Sequence, residues 1–264
     1  AANYPLIARM DSDDLSAPNR LRTQLDYYCA HPEVDIVGCA VEIFKDDDAV
    51  GDGFNHYQRW LNTQRRPEQI EQQMFVECCL AHPTFFMTTS LLRSLGGYSD
   101  STWPEDYDLV LRAFEKGAKF GKPNGEALLR WRDHATRLSR KDRRYRRNAF
   151  LECKAFYLAN YLKRNNIQEV AIWGAGPTGL KLNDCLEANG VRVRKFYDIS
   201  PKLAGRLKRG KKIDVADLPV TAEFVRSMFR PTLIAISARG AAQKMATLLS
   251  DHGMMHHKDF IQLS

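Results

Sequence analysis

Residues 6–25, "LIARMDSDDLSAPNRLRTQL", run an apolar segment into three aspartates and on into a proline-started helix. "YPLIARM" (4–10) reads as a short buried strand. Pro18 in a first turn, with Leu21, Leu25 and Tyr28 along one face, predicts a helix that Ser16 caps and His31-Pro32 stops. In the extended segment between them, residues two apart point the same way, so Asp11 and Asp13 form a pair of carboxylates at the strand's end. Such carboxylates repel one another unless something positive sits among them. Hard oxygen donors suit Mg²⁺ or Mn²⁺, above all where substrate phosphates complete the shell. The competing reading is a polar loop in which Asp14 or Ser16 only caps the helix.

Outward from this stretch, the first half alternates. "VDIVGCAVEIF" (34–44) is a long β-rich run, and residues 66–100 read as helix, strand and a short helix ended by Gly96 and Gly97. "WPEDYDLVLRAFEKG" (103–117) is a helix stopped by Gly117. It carries Glu105 and Asp106 at its start, where the helix dipole tolerates negative charge. His134 falls in a polar loop after the strand-like "EALLRWR" (126–132). Residues 142 to about 164 read as one helix bearing Tyr145, Phe150, Phe156, Tyr157 and Tyr161.

The rhythm then changes. "QEVAIWGAGPTGLKLNDCLEANGVRVRKFYDIS" (168–200) is strand, glycine turn, helix and strand, and residues 232–253 repeat strand, turn and helix, as in a small doubly wound α/β domain. Gly174, Gly176 and Gly179 follow a strand and open a helix, in the spacing that lets a pyrophosphate approach a helix N-terminus. Asp198 ends the next strand, where it can bind a ribose hydroxyl. The ligand expected is NAD(P) or a nucleotide-sugar; the alternative is that the glycines serve packing alone. Ser237 and Arg239 can face the same crevice. The organisation expected is 1–141, a linking helix over 142–165, and 166–264.

No apolar run approaches the ~20 residues that span a bilayer, and no signal-peptide pattern opens the chain, which points to the cytoplasm. The six cysteines show no CxxC spacing, as expected of free thiols in a reducing compartment. The formal charge of +7 is concentrated, with nine Arg/Lys against two acids over 130–147. That run is either a solvated face or a patch for an anionic surface, such as phospholipid headgroups or a pyrophosphate-linked acceptor. It lacks regular aromatic interleaving, so no nucleic-acid partner is expected.

The order of "ARMDSDD", "AHPTFFMTTSLLRSLGGY", "EDYDL" and "RWRDHATRLSR", with "QLDYYCAHPEVDIVG" between the first two, resembles inverting family-2 glycosyltransferases of the GT-A fold over roughly residues 4–140. The resemblance implies that Asp11 and Asp13, with His134, hold Mn²⁺ or Mg²⁺ against the diphosphate of a nucleotide-sugar donor. Asp106, or its neighbour Glu105, would be general base on a glycan or lipid-linked acceptor. Gly96 and Gly97 would let backbone approach the donor, and His82 and Arg93 are weaker candidates for lining the site. In that family a nucleotide-binding region precedes the first aspartates, whereas here only "AAN" precedes "YPLIARM". An N-terminally truncated GT-A domain is therefore expected, with an uncovered sheet edge that favours a homo-oligomer or a rebuilt sheet. Residues 166–264 resemble the small Rossmann-like domains appended to bacterial sugar-processing enzymes. The fold class expected is α/β, a partial GT-A domain followed by a small doubly wound Rossmann-like domain. The function implied is sugar transfer in polysaccharide or glycoconjugate assembly, possible peripheral contact with an anionic membrane included. The alternative is a non-catalytic nucleotide-binding protein.

Overall fold

The computed structural model describes residues 3–46, 50–134 and 136–264. The fold is mixed α/β, and the chain divides into two compact units: one from the N-terminus to Met74 together with Cys78–Phe150, the other Phe75–Glu77 together with Leu151–Ser264. No described helix is long and apolar enough to cross a membrane.

In the first unit the strands are β1 (Leu6–Ala8), β2 (Leu15–Ser16), β3 (Ile36–Val37), β4 (Val41–Phe44), β5 (Phe86–Thr88), β6 (Phe120–Gly121) and β7 (Leu129–Arg132). They make two small sheets, ordered β1-β5-β3-β6 and β2-β7-β4. The run 34–44 is thus two strands in two sheets rather than one. It breaks at Gly38, where a Cβ would come within 2.9 Å of the Leu80 side chain. Among the described residues β1 pairs only with β5, antiparallel, and as an edge strand it is partly covered rather than buried.

Helix α1 (Arg20–Ala30) begins later than the proline suggests. Ser16 does not cap it: its backbone pairs with Leu129 in β2–β7, and its hydroxyl donates to the Ala17 carbonyl. Tertiary bonds hold the helix instead. Buried Arg20 donates to the Arg9 carbonyl at 2.6 Å, and buried Gln24 donates to the carbonyls of Val37 and Thr84. Helix α2 (Asp52–Thr63) has no counterpart in the sequence reading. It lends side-chain amides to the free edge of β4: Asn62 bonds both the N–H and the C=O of Val41, and Gln58 accepts from Ile43 N–H. An open edge is thereby satisfied by a helix.

Helices α3 (Pro67–Gln73), α4 (Thr89–Ser94) and α5 (Glu105–Glu115) follow. The single helix expected over 142–164 is broken at its start. After α6 (Leu138–Lys141), Arg143–Tyr145 form a 3₁₀ turn in which Asp142 accepts from the Arg144 N–H, and α7 runs Arg147–Arg164.

The second unit holds β8 (Glu169–Trp173), α8 (Pro177–Ala188), β9 (Arg192–Asp198), β10 (Leu207–Lys208), β11 (Lys211–Val215), α9 (Ala222–Ser227), β12 (Thr232–Ile234), α10 (Ala241–Asp251) and β13 (Phe260–Gln262). They form one six-stranded sheet, ordered β10-β11-β9-β8-β12-β13, parallel throughout except for the β10–β11 hairpin. Val170, Ile172 and Leu233 are fully buried, as expected of parallel strands covered on both faces.

Candidate functional site

The segment after β1 and the end of β7 are tied together by side chains about 120 residues apart in sequence. The Arg132 N–H donates to Asp14 Oδ1 at 2.9 Å and its Nε donates to the Asp13 carbonyl at 2.7 Å. Its guanidinium also pairs with Asp46. Two residues on, His134 Nε2 lies 2.8 Å from Asp13 Oδ2, and its Nδ1 lies 2.8 Å from the Thr136 hydroxyl. Between them Asp133, with its side chain fully buried, accepts two bonds of 2.8 Å from Arg140, so the His134 loop is pinned from beneath.

Asp13 and His134, both sequence candidates, are therefore together. Asp11 is not gathered in with them: it pairs with Arg9 Nη2 at 2.6 Å. Two carboxylates and an imidazole are a suitable donor set for Mn²⁺ or Mg²⁺. Among the described residues, however, no group of three or more His, Cys, Asp or Glu side chains is drawn close enough to hold a metal ion. Asp14, which the sequence offered as a cap, is a buried prop for β7. Burial pushes its carboxyl up to about 6, against the Arg132 N–H bond and with help from the charges of Asp11 and Asp13.

The second pair of candidates opens α5. Glu105 Oε1 accepts from the Tyr145 hydroxyl at 2.6 Å, and its other oxygen lies 3.6 Å from Nη1 of Arg144, whose Nε and Nη2 donate to Asp142. Glu105 is thus held as an anchor by the 3₁₀ turn. Asp106 Oδ1 accepts from the Tyr107 N–H at 2.8 Å. Asp108, almost fully buried, bonds Arg112 and accepts from Ser99, which fixes the loop ahead of the helix to the helix itself.

One side chain senses both groups of carboxylates. Tyr98 is 45% exposed as a residue, yet burial around its hydroxyl pushes the phenol up to about 12. Arg9 opposes this, and Asp106, Glu105 and Asp11 add to it. The hydroxyl lies 2.7 Å from His82 Nε2. Burial, aided by Arg9, holds His82 down at about 3, so its imidazole is neutral at neutral pH and Nε2 is able to accept the phenol's proton in a hydrogen bond. Gly96 and Gly97 take left-handed φ values of 79° and 71°, which glycine adopts without cost, and their N–H groups bond back to Arg93 and Leu92. They close α4, and the space where a Cβ would stand is open at both. Arg93 is exposed.

Tyr98, Tyr145, Arg144 and Arg9 were missed as site residues in the sequence. The Tyr of "GGY" was visible there, but nothing local marks Tyr145, which reaches Glu105 only through the turn at 143–145.

In the second unit the three glycines have different reasons. A Cβ on Gly174 (φ 115°) would stand 2.6 Å from the Ala235 carbonyl oxygen, and one on Gly179 only 1.9 Å from the Gly174 oxygen. Both serve close packing of the turn, helix and β12. A Cβ on Gly176 would meet nothing within 4 Å, so that face is open. Asp198 spends its carboxylate on the backbone: Oδ2 accepts from Ala175 N–H, and Oδ1 from Ile199 and Ser200 N–H. Lys208, on the hairpin, donates to the Ala175 carbonyl at 2.7 Å. Ser237 meets the Thr178 hydroxyl at 2.6 Å, whereas Arg239 is exposed.

No protein-family model matches the chain. It is 29% identical over 167 residues to the O-antigen biosynthesis glycosyltransferase WbnJ of Escherichia coli, covering 62% of this chain and 59% of that protein. It is 24% identical over 222 residues to the bifunctional glycosyltransferase pgtA of Dictyostelium discoideum, covering 75% of this chain and 29% of that protein. It is 29% identical over 114 residues to the amylovoran biosynthesis glycosyltransferase AmsE of Erwinia amylovora, covering 43% of this chain and 40% of that protein. The chain is a distant relative of glycosyltransferases and spans between 29% and 59% of the length of these three. RSP, a Rex-family repressor of solved structure, matches 39% of this chain and 51% of that one at 23% identity, with a TM-score of 0.28, too low to bear on the fold.

Proposed function

We propose that the first unit is the metal-side and acceptor-side part of a GT-A glycosyltransferase domain, acting by inversion in polysaccharide or glycoconjugate assembly. The observation that carries this reading is the 2.8 Å contact between Asp13 and His134, made across 121 residues of chain on an element pinned by Asp14 and Asp133. A resident Mn²⁺ or Mg²⁺ would spread the charge that grows on a departing nucleoside diphosphate. Asp13 and His134 would hold it, joined by Asp11 once that carboxylate is released from Arg9. Arg9 Nη1, which has no hydrogen-bond partner among the described residues, would then be available to donor phosphate oxygens.

Asp106 is the general base in this reading, because Glu105 already accepts from Tyr145 and is flanked by Arg144. Asp106 takes the proton of the acceptor hydroxyl as that oxygen attacks the sugar from the face opposite the leaving group. Tyr98 stands where the charges of both carboxylate groups are felt and would orient acceptor or donor hydroxyls between them. Calorimetric titration with UDP and with GDP, each with and without Mn²⁺, tests the reading. Metal-dependent binding that Asp13→Ala and His134→Ala both abolish is the expected result; binding indifferent to metal and to both substitutions refutes it.

A second reading concerns the other unit, proposed as a Rossmann-like module for NAD(P) or a nucleotide-sugar. The open face at Gly176, flanked by Lys208, favours it. Metal-independent binding of NAD⁺, lost in Gly176→Leu, would support it.

A further inference from the structure

The basic run 130–147 is largely consumed inside the fold, and what remains is a short, defined patch. Arg130 pairs with Glu42, Arg132 with Asp46, Arg140 with Asp133 and Arg144 with Asp142 and Glu105, while Arg137 lies over the Trp131 ring. Lys141, Arg143 and Arg146 are exposed and have no carboxylate partner among the described residues. The acid between them, Asp142, is already bonded to Arg144. These three cations fall within six consecutive residues, so their Cα atoms lie within about 18 Å of one another.

Their place matters as much as their charge. The segment that carries them is fastened at one end by His134 to Asp13 and at the other by Tyr145 to Glu105. It therefore borders both groups of carboxylates in the candidate site. The aromatics within the run are not offered to a ligand: Trp131 is covered by Arg137, and Tyr145 is bonded to Glu105. A single-stranded nucleic acid would find no stacking platform here. A surface of anionic headgroups needs only charge.

We infer that Lys141, Arg143 and Arg146 dock the rim of the candidate site onto an anionic bilayer surface, so that the acceptor is met at the membrane. The inference deepens the glycosyltransferase reading by naming where its acceptor resides. Its test needs no donor and no catalysis, so the two can fail separately. Each lysine or arginine close to an anionic leaflet strengthens partition about fivefold. The patch should therefore contribute about a hundredfold at low salt, and most of that should vanish where the screening length falls to about 3 Å.

The experiment is co-sedimentation of the full chain with phosphatidylcholine vesicles, with and without phosphatidylglycerol. It compares wild type, Lys141→Ser/Arg143→Ser/Arg146→Ser, and a charge-matched control, Lys202→Ser/Arg206→Ser/Lys244→Ser. Circular dichroism confirms that each variant is folded. The expected result is binding that requires phosphatidylglycerol, falls about a hundredfold in the first variant and is nearly kept in the control. The inference is overturned by equal binding to neutral vesicles, by no binding, or by equal losses in the two variants. It is also overturned if duplex RNA or free pyrophosphate at low concentration displaces the vesicles while engaging the same three residues.

Discussion

Lys122 offers the most direct test of the first unit's interior. It is 1% exposed, with its ammonium donating to the Leu61 carbonyl at 2.6 Å. Burial pushes it down to about 8 from its ordinary 10.5, against the pull of Cys79, Cys78 and Cys39. That difference corresponds to about 3 kcal/mol of instability at neutral pH, where the folded chain must hold a charge that the unfolded chain holds in water. The unfolded state binds the extra proton between these two values, so the penalty shrinks as pH rises through that window. About 2 kcal/mol should be recovered between about pH 7 and about pH 9.5.

Buried cysteines act in the other direction: Cys39 is pushed up to about 12 by burial, which lowers stability as its unfolded counterpart ionises. Comparison with Lys122→Met removes most of that common term. The assay is urea unfolding followed by tryptophan fluorescence, since Trp60, Trp103 and Trp131 belong to this unit. Wild type should gain about 2 kcal/mol relative to Lys122→Met on going to the higher pH. A difference between the two proteins that stays constant across that range would refute the argument.

Three further outcomes follow from particular contacts. Tyr145→Phe removes a hydrogen bond to a carboxylate and should cost about 2 kcal/mol in unfolding free energy. If Asp106 is the base, turnover should fall while KM for the donor holds, and a fall in donor affinity instead would remove Tyr145 from the acceptor side. Arg140→Ala leaves the fully buried Asp133 carboxylate without its two bonds and should cost about 3 kcal/mol, measured by urea denaturation. Gly179→Ala, whose Cβ would stand 1.9 Å from the Gly174 oxygen, should prevent the second unit from folding. Gly176→Ala should change its melting temperature little, and calorimetry of the two separates packing glycines from the open one.

The candidate residues stood out in the sequence because each lies in a short local string. Asp11 and Asp13 two apart, Glu105 and Asp106 at a helix start, and His134 after a strand are each visible within a few residues. The pattern of the second unit was visible for the same reason, since a parallel strand reads as an unbroken apolar run and the glycine turn follows it directly. Which of those residues meet was not legible in any local pattern: the family resemblance grouped Asp11, Asp13 and His134, and the structure joins only the last two. Asp13 meets His134 and Asp11 turns to Arg9 because β2 pairs with β7 at Leu15↔Arg130, a register no local pattern encodes.

Helix starts were misjudged where long-range bonds overrode local signals. Ser16 was taken into a strand by its pairing with Leu129, and α1 begins only at Arg20, which a bond to the Arg9 carbonyl holds. Asp142 broke the expected helix because its side chain caps a 3₁₀ turn that delivers Tyr145 to Glu105. The basic run illustrates the division best. Sequence alone determined that nine cations lie together, since charge is a property of composition. Only tertiary structure decided which of them are already neutralised, because ion pairing depends on carboxylates brought in from Glu42, Asp46 and Glu105 by the folding of distant chain.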